Sequence, residues 1–263
     1  MKKKLKVVLR RILMPLVFKL GFIDSSERAS NNESVNSTKL TLLDNLYRNL
    51  IITGLRVNHI VDIGANHGYW TREALKHFPD ASYSLIEPQD HLKVFVEDLV
   101  TSNPKIKWYN MGMGKEKGEF DFTIVDRDDS CSFRYSKEEA DSLGFKQIKI
   151  PVNTLADLVM EESLPIPELV KIDAEGLDLD VLRGCKGLLG KTEVFLVEAA
   201  VVSKNFDNNV QTVVSFMADN GYRLFDITDL NRPWNLKVLW LVELAFVKID
   251  GIIDSYKFKG DKD

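Results

Sequence analysis

The sequence predicts an α/β fold: a seven-stranded, mostly parallel sheet with helices on both faces and an antiparallel last strand. Three observations predict it. Short apolar runs alternate with amphipathic, helix-length segments; the first run closes on two spaced glycines; and the chain ends in two strand-like runs joined by a segment without helical period.

Each element can be justified in turn. "HIVDIG" is a β-branched run ending in a glycine turn, as suits a buried strand. "YWTREALKHF" follows, with Trp70, Ala74 and Phe78 four apart on one helical face. "YSLIEP" reads as the second strand, "QDHLKVFVEDLV" as a helix and "IKWYNM" as the third strand. Strand–helix–strand units in series imply parallel strands joined by crossovers. Further on, "ELVKIDAEG" is the fourth strand and "LDLDVLRGCKGLL" its helix, with Leu177, Val181 and Leu182 on one stripe. "TEVFLVEAA" is the fifth strand. Val210, Val213, Val214 and Met217 then mark an amphipathic helix that Asn220-Gly221 stops. "YRLFDI" and "LVELAFVKID" are joined by "TDLNRPWNLKVLW", too irregular for a crossover helix, so the last two strands should form a hairpin.

The body of the fold starts near Lys39 and runs to residue 263. Before it, residues 25–38 are a polar linker, and residues 1–24 form a basic amphipathic segment with seven Lys and Arg and no acid before Asp24. That segment is too short in apolar run to span a bilayer and shows no cleavage site. Residues 1–22 could lie on an anionic membrane surface or pack on their own domain. With 263 residues, 44% of them hydrophobic, the chain can bury a sizeable core, and a net charge of −4 gives no global case for nucleic-acid binding. Two cysteines, Cys131 and Cys185, make neither a disulfide framework nor a metal spacing, which fits a reducing, cytoplasmic setting.

The loop after the first strand raises the question of ligand. "VDIGANHGYW" carries Gly64 and Gly68 but lacks the third glycine of a pyrophosphate-binding loop. Glu87 closes the second strand 19 residues beyond Gly68 (87 minus 68), where a carboxylate commonly receives ribose hydroxyls. A nucleoside without a pyrophosphate, carrying a sulfonium and an amino-acid tail, fits both features. S-adenosylmethionine is that ligand. The reversed final strand points the same way, since dinucleotide dehydrogenases lack it.

Taken in order, "VDIGANHGYWT", "LIEPQ", "VNTLADL", "VKIDAEGLDLDVLRG", "FLVEAA" and "LFDITDLNR…ELAFVKID" resemble the FkbM-type methyltransferases, over roughly residues 57–250. The resemblance implies a Rossmann-like class I methyltransferase that transfers a methyl group to a hydroxyl of a sugar, glycolipid or polyketide. Its most specific piece is Asp173-Ala174-Glu175-Gly176, with Leu182 and Gly184 downstream. One departure is that Ala199 and Ala200, rather than a polar residue, follow Glu198.

The expected cofactor set is Asp62, Gly64, Asn66, Gly68, Glu87, Met111, Gly112, Met113 and Asp173. Apolar methionines after the third strand would suit the flat adenine edge, or simply fill core. The alcohol proton must be removed, so the expected base is Asp173, then Glu175, then His67. His67 sits inside the loop and equally suits a packing role, while His59, His77 and His91 form no constellation. Residues 111–152 read as an insertion on the acceptor side. There the acids Asp126, Asp128 and Asp129, with Arg127 and Ser130, could bind a hydroxyl-rich substrate beside Glu198, or form a solvated hairpin tip. Asp173, Glu175 and Glu198 could offer magnesium three hard oxygens; the reading without a metal is preferred, because carboxylates at strand ends are common. The alternative function is an inactive binding or regulatory module on the same fold. A nucleotide-sugar or NAD enzyme and a nucleic-acid methylase are weaker, the latter because the fourth strand ends in "DAEG" and no basic aromatic stripe is present.

Overall fold

The computed structural model describes residues 40–202, 206–233 and 238–258. The basic N-terminal segment and the linker lie outside the described residues. The main sheet contains β1 (His59–Ile63), β2 (Ser82–Ile86), β3 (Ile106–Tyr109), β7 (Leu169–Ile172), β8 (Val194–Ala200), β9 (Tyr222–Asn231) and β10 (Leu241–Lys248). Their spatial order is β3-β2-β1-β7-β8-β10-β9. The pairs from β3 to β8 are parallel, whereas β10 runs antiparallel to both β8 and β9. Strand order therefore reverses between β1 and β7, where open α/β sheets bind ligands beyond the strand carboxyl ends. This is the Rossmann-like class I methyltransferase architecture.

Alternate strand residues feed two cores, one on each face. Val61, Ile63, Val170, Ile172, Phe195 and Val197 belong to one; Ile60, Leu169, Val194, Leu196 and Ala245 belong to the other. Central strands buried on both faces must be apolar at every position, which is why they read as continuous runs. Lys171 and Asp62 break that rule at 4% and 0% exposure, and both lie at the site.

Helix α1 (Leu42–Ile52) covers the second core and was not expected from the sequence. Thr41 and Asp44 form a reciprocal capping box at its start, and Leu46, Tyr47 and Leu50 are its buried stripe. Helix α2 (Tyr69–His77) follows the first loop, as expected. The expected helix at 89–100 is split: a 3₁₀ segment, Asp90–Phe95, precedes α3 (Glu97–Ser102), with the break at Val96. Val96 Cγ1 occupies the space beside Gly68, 2.4 Å from where a Cβ would stand. The packing of the loop thus sets the break.

A second sheet of order β4-β6-β5 occupies the expected insertion: β4 (Gly112–Met113), β5 (Gly118–Ile124) and β6 (Lys146–Asn153). It has its own small core of Phe122, Cys131 and Ile150, and helix α4 (Lys137–Leu143) precedes β6. Helix α5 (Leu155–Glu161) leads to β7, and α6 (Asp178–Arg183) is shorter than its apolar pattern suggested. A Cβ at Gly184, just after α6, would meet the Gly114 carbonyl at 2.0 Å, so the helix end and the residue after β4 approach backbone to backbone. Helix α7 (Val210–Asp219) buries Val213 and Met217. Strand β9 runs to Asn231, absorbing the start of the supposed connector through its ladder to β10.

Candidate active site

The loop between β1 and α2 is built by hydrogen bonds and by two left-handed glycines. Gly64 and Ala65 donate their N–H groups to the Ile86 carbonyl, at 2.9 and 3.1 Å, tying the loop to the end of β2. Gly64 (φ 73°) lies where a Cβ would meet the Asp173 carbonyl at 1.9 Å, so close approach between β1 and β7 demands glycine. Asn66 is also left-handed (φ 45°), and its side chain accepts the His67 N–H at 2.8 Å. The His67 ring stacks at 4.1 Å from Phe95 and 5.7 Å from Tyr69, with Nε2 3.6 Å from Asp128. His67 therefore joins the loop to the acidic turn of the insertion.

Glu87 stands at the end of β2, 3% exposed. Its Oε2 accepts the Asn66 N–H (3.0 Å), and its Oε1 accepts the Gln89 backbone N–H (3.0 Å) and side-chain amide (3.2 Å). Burial pushes its carboxyl up, against the pull of those hydrogen bonds and of Lys171. A carboxylate offers about four acceptor positions, so one remains, on Oε2.

Lys171, which sequence reasoning passed over, is the hub between β1 and β7. Its ammonium donates to the Gly64 carbonyl at 2.9 Å and pairs with Asp62 Oδ1 and Asp173 Oδ2, each at 3.3 Å. Burial works against its charge, but Asp173, Asp62 and Glu243 outweigh it and raise the lysine above its ordinary value. Asp62 holds a different place from the one expected of a cofactor ligand. It is fully buried, and its Oδ2 accepts the Thr71 hydroxyl at 2.6 Å, so it braces α2 and Lys171 from beneath. A lysine inside an otherwise apolar strand, "LVKI", was the signal available in the sequence. Asp173 opens outward from this network, its side chain 37% exposed.

Beyond Asp173 the chain turns through Glu175 (φ 51°) and Gly176 (φ 91°). Left-handed Glu is costly, and the surrounding structure must hold it. Asp178, fully buried, does so: it accepts N–H groups from Ala174 (2.8 Å) and Gly176 (3.2 Å) and the side-chain amide of Asn208 (2.6 Å). Asn208 also donates to the Glu198 carbonyl at 3.0 Å. Burial, then the Asp173 charge, pushes Asp178 up to about 7. The same two causes, in that order, drive Glu175 and Glu198 well above the carboxylate range. Glu198 faces Glu243 across the β8–β10 ladder, and burial raises Glu243 to about 7 although the Thr228 hydroxyl donates to it at 2.5 Å. Both Glu175 and Glu198 keep partial solvent exposure while their surroundings desolvate them.

The remaining expected residues divide. Met113 is 3% exposed and belongs to the main core, with Met111 packed against it, so core filling accounts for both. Gly112 makes room for the Phe133 ring, which lies 2.6 Å from where its Cβ would stand. Asp128–Ser130 is a 3₁₀ turn preceded by an Arg127–Asp129 ion pair. The Asp128 carbonyl accepts the Gln89 side-chain amide at 2.9 Å, which brings this turn against Glu87 and His67. Among the described residues, no group of three or more His, Cys, Asp or Glu side chains is placed to hold a metal ion.

These residues fit S-adenosylmethionine. Glu87 retains an acceptor position, and Gln89 Oε1 beside it is buried without a hydrogen-bond partner among the described residues. Helix α2 has no side-chain cap and no acid in its first turn, leaving its N–H groups for an anionic group such as the cofactor's carboxylate.

The family model for the FkbM methyltransferase domain matches residues 62–224. No curated protein sequence matches the chain. Among solved structures, precorrin-6y C5,15-methyltransferase from Geobacter metallireducens GS-15 is similar at 15% identity and a TM-score of 0.43, covering 86% of this chain and 96% of its own. The N-methyltransferase NodS from Bradyrhizobium japonicum WM9 shares 9% identity at a TM-score of 0.43, covering 78% and 93%. M. capricolum TrmK, solved with S-adenosyl-homocysteine, shares 10% at 0.44, covering 76% and 67%. At such identities and scores the likenesses carry nothing about the acceptor.

Proposed function

The chain belongs to the FkbM methyltransferase family of S-adenosylmethionine-dependent enzymes, and we propose that it methylates a hydroxyl of a sugar, glycolipid or related natural product. The observation that carries this reading is the half-exposed Asp173, fixed beside Lys171 and surrounded by carboxyls able to receive hydroxyl hydrogens. When bound, the cofactor supplies a methyl group on positively charged sulfur. Gly64, Asn66, Gly68 and Glu87 would hold it.

Asp173 takes the acceptor proton, with Glu175 as the second candidate and His67 the third. The three-point grip of Lys171 keeps Asp173 oriented, which is the alignment that in-line displacement requires. Glu198 and the turn bearing Asp126, Arg127 and Ser130 position the acceptor, making residues 111–152 the acceptor side. The body from residue 39 onward carries the reaction, and residues 1–22 attach it to an anionic membrane. No helix among the described residues is long and apolar enough to cross one.

The test is methyl transfer from labelled S-adenosylmethionine to panels of glycans, glycolipids, small amines and tRNA. Label in an ether on a glycan or glycolipid supports the reading, and Asp173→Asn should then lower kcat roughly 10²-fold or more. Label only on amines or RNA contradicts it. Liposome flotation of the full chain against residues 39–263 tests the attachment; equal flotation contradicts that part.

A further inference from the structure

At the carboxyl ends of β7 and β8 and the amino end of β10, acidic side chains outnumber the cations among the described residues. Register sets Glu243 opposite Glu198, and the β7–β8 ladder, ending at Ile172 and Val197, brings Asp173 alongside Glu198. The left-handed turn, locked by Asp178, brings Glu175 within electrostatic reach of Asp173 and of Asp129 from the insertion. Lys171 is already committed, donating to the Gly64 carbonyl and pairing with Asp62 and Asp173. Arg134, stacked 5.2 Å over Phe206, opposes only part of the charge on Glu175. One buried atom here also awaits a partner. Asn208, 4% exposed, gives its amide hydrogens to Asp178 and the Glu198 carbonyl, and its Oδ1 meets no donor among the described residues.

We propose that Glu175 and Glu198 read the charge on the cofactor's sulfur. They admit the sulfonium of S-adenosylmethionine by giving up a proton, and recover one when the neutral thioether of S-adenosylhomocysteine remains. The inference rests on the cofactor reading above and adds a preference for donor over product. A nearby cation favours the ionised carboxyl, so entry of the sulfonium releases the proton to solvent. In the transfer, an O–CH₃ bond forms as the S–CH₃ bond breaks and sulfur keeps the bonding pair. The acceptor's hydroxyl proton ends on the carboxyl cluster. Glu175 and Glu198 are then neutral beside a neutral product, and the attraction that held the donor is gone. The proton that Asp173 takes thereby has an ionised carboxyl to pass to only when donor is present.

The groups that set this titration come from every side. They are Lys171 on β7 and Asp173 just after it, Asp178 on α6, Glu243 on β10, and Asp129 and Arg134 from the insertion. Burial is the largest influence on Glu175 and Glu198, and Asp173 the next.

The experiment is isothermal titration of the full chain with S-adenosylmethionine and, separately, with S-adenosylhomocysteine, in buffers of differing ionisation enthalpy. The native protein should release up to about one proton more with the donor, so the donor-to-product affinity ratio should rise up to tenfold per pH unit near neutrality. Glu198→Gln and Glu175→Gln, which imitate the protonated carboxyls, should each diminish that difference while still binding S-adenosylhomocysteine. The ligands' own amino groups titrate alike with native and variant proteins, so the native-minus-variant difference isolates the carboxyls. Equal proton release with both ligands, or undiminished release in both variants, overturns the proposal and leaves the cofactor reading standing. Binding of neither ligand overturns both.

Discussion

Replacing Lys171 with methionine should cost the fold about 3–5 kcal/mol, the range for removing one partner of a buried ion pair. The structure shows where that cost arises. The lysine is 4% exposed, donates to the Gly64 carbonyl and pairs with Asp62 and Asp173. Methionine fills similar volume, so little of the loss is cavity. Asp173 is 37% exposed on its side chain and can regain water. Asp62 cannot: it is 0% exposed, with only the Thr71 hydroxyl left to serve its charge. Most of the penalty therefore belongs to Asp62, and Asp62→Asn introduced into Lys171→Met should restore at least about 1 kcal/mol. Urea unfolding followed by tryptophan fluorescence measures both, through the midpoint at constant slope. A loss below about 1 kcal/mol for Lys171→Met, or no restoration by Asp62→Asn, would refute the hub.

Two other predictions concern backbone and pH. Gly64 and Gly54 share a left-handed backbone (φ 73° and 84°), but a Cβ at Gly64 meets the Asp173 carbonyl at 1.9 Å while Gly54 has open space. Gly54→Ala should therefore cost about 1 kcal/mol and Gly64→Ala about 4 or more, read as unfolding free energies; equal costs would show that the approach of β1 to β7 is not tight. His59, 2% exposed, is held down to about 4 by burial, against the raising influence of Glu168 and of its contact with Ser82. Its folded value lies below the unfolded one near 6.5, so the unfolded chain binds the proton more readily between them. The contribution is thus fully present above pH 6.5 and lost as pH falls toward 4. Relative to His59→Gln, the native protein should lose about 2–3 kcal/mol of advantage across that window, and a flat difference would contradict it.

The reasons why some features were legible in the sequence and others were not are physical. β1, β2, β7 and β8 are buried on both faces, and their largely apolar runs announce it despite Asp62 and Lys171. The reversal of β10 could be read because the segment before it has no helical period. Helix α1 escaped notice because its signal is a single cap, Thr41 with Asp44, before a narrow stripe. The break at Val96 depends on the space Gly68 leaves, which no local pattern encodes. In the site, Gly64, Glu87, Asp173 and Glu175 stand at strand ends and could be named from position. Asp178, Asn208 and Glu243 could not, since only strand register and the turn after β7 bring them to Glu175 and Glu198.

The most direct measurement is calorimetric titration with S-adenosylmethionine, run beside NAD, on the native protein and on Glu87→Ala. Glu87 holds the Asn66 and Gln89 amides as well as offering its free acceptor position, so its loss loosens the loop and removes the anchor together. The account predicts binding of S-adenosylmethionine but not NAD, weakened at least tenfold in Glu87→Ala, a loss of about 1.4 kcal/mol or more. Binding that is absent in the native protein, or unchanged by the substitution, would contradict it.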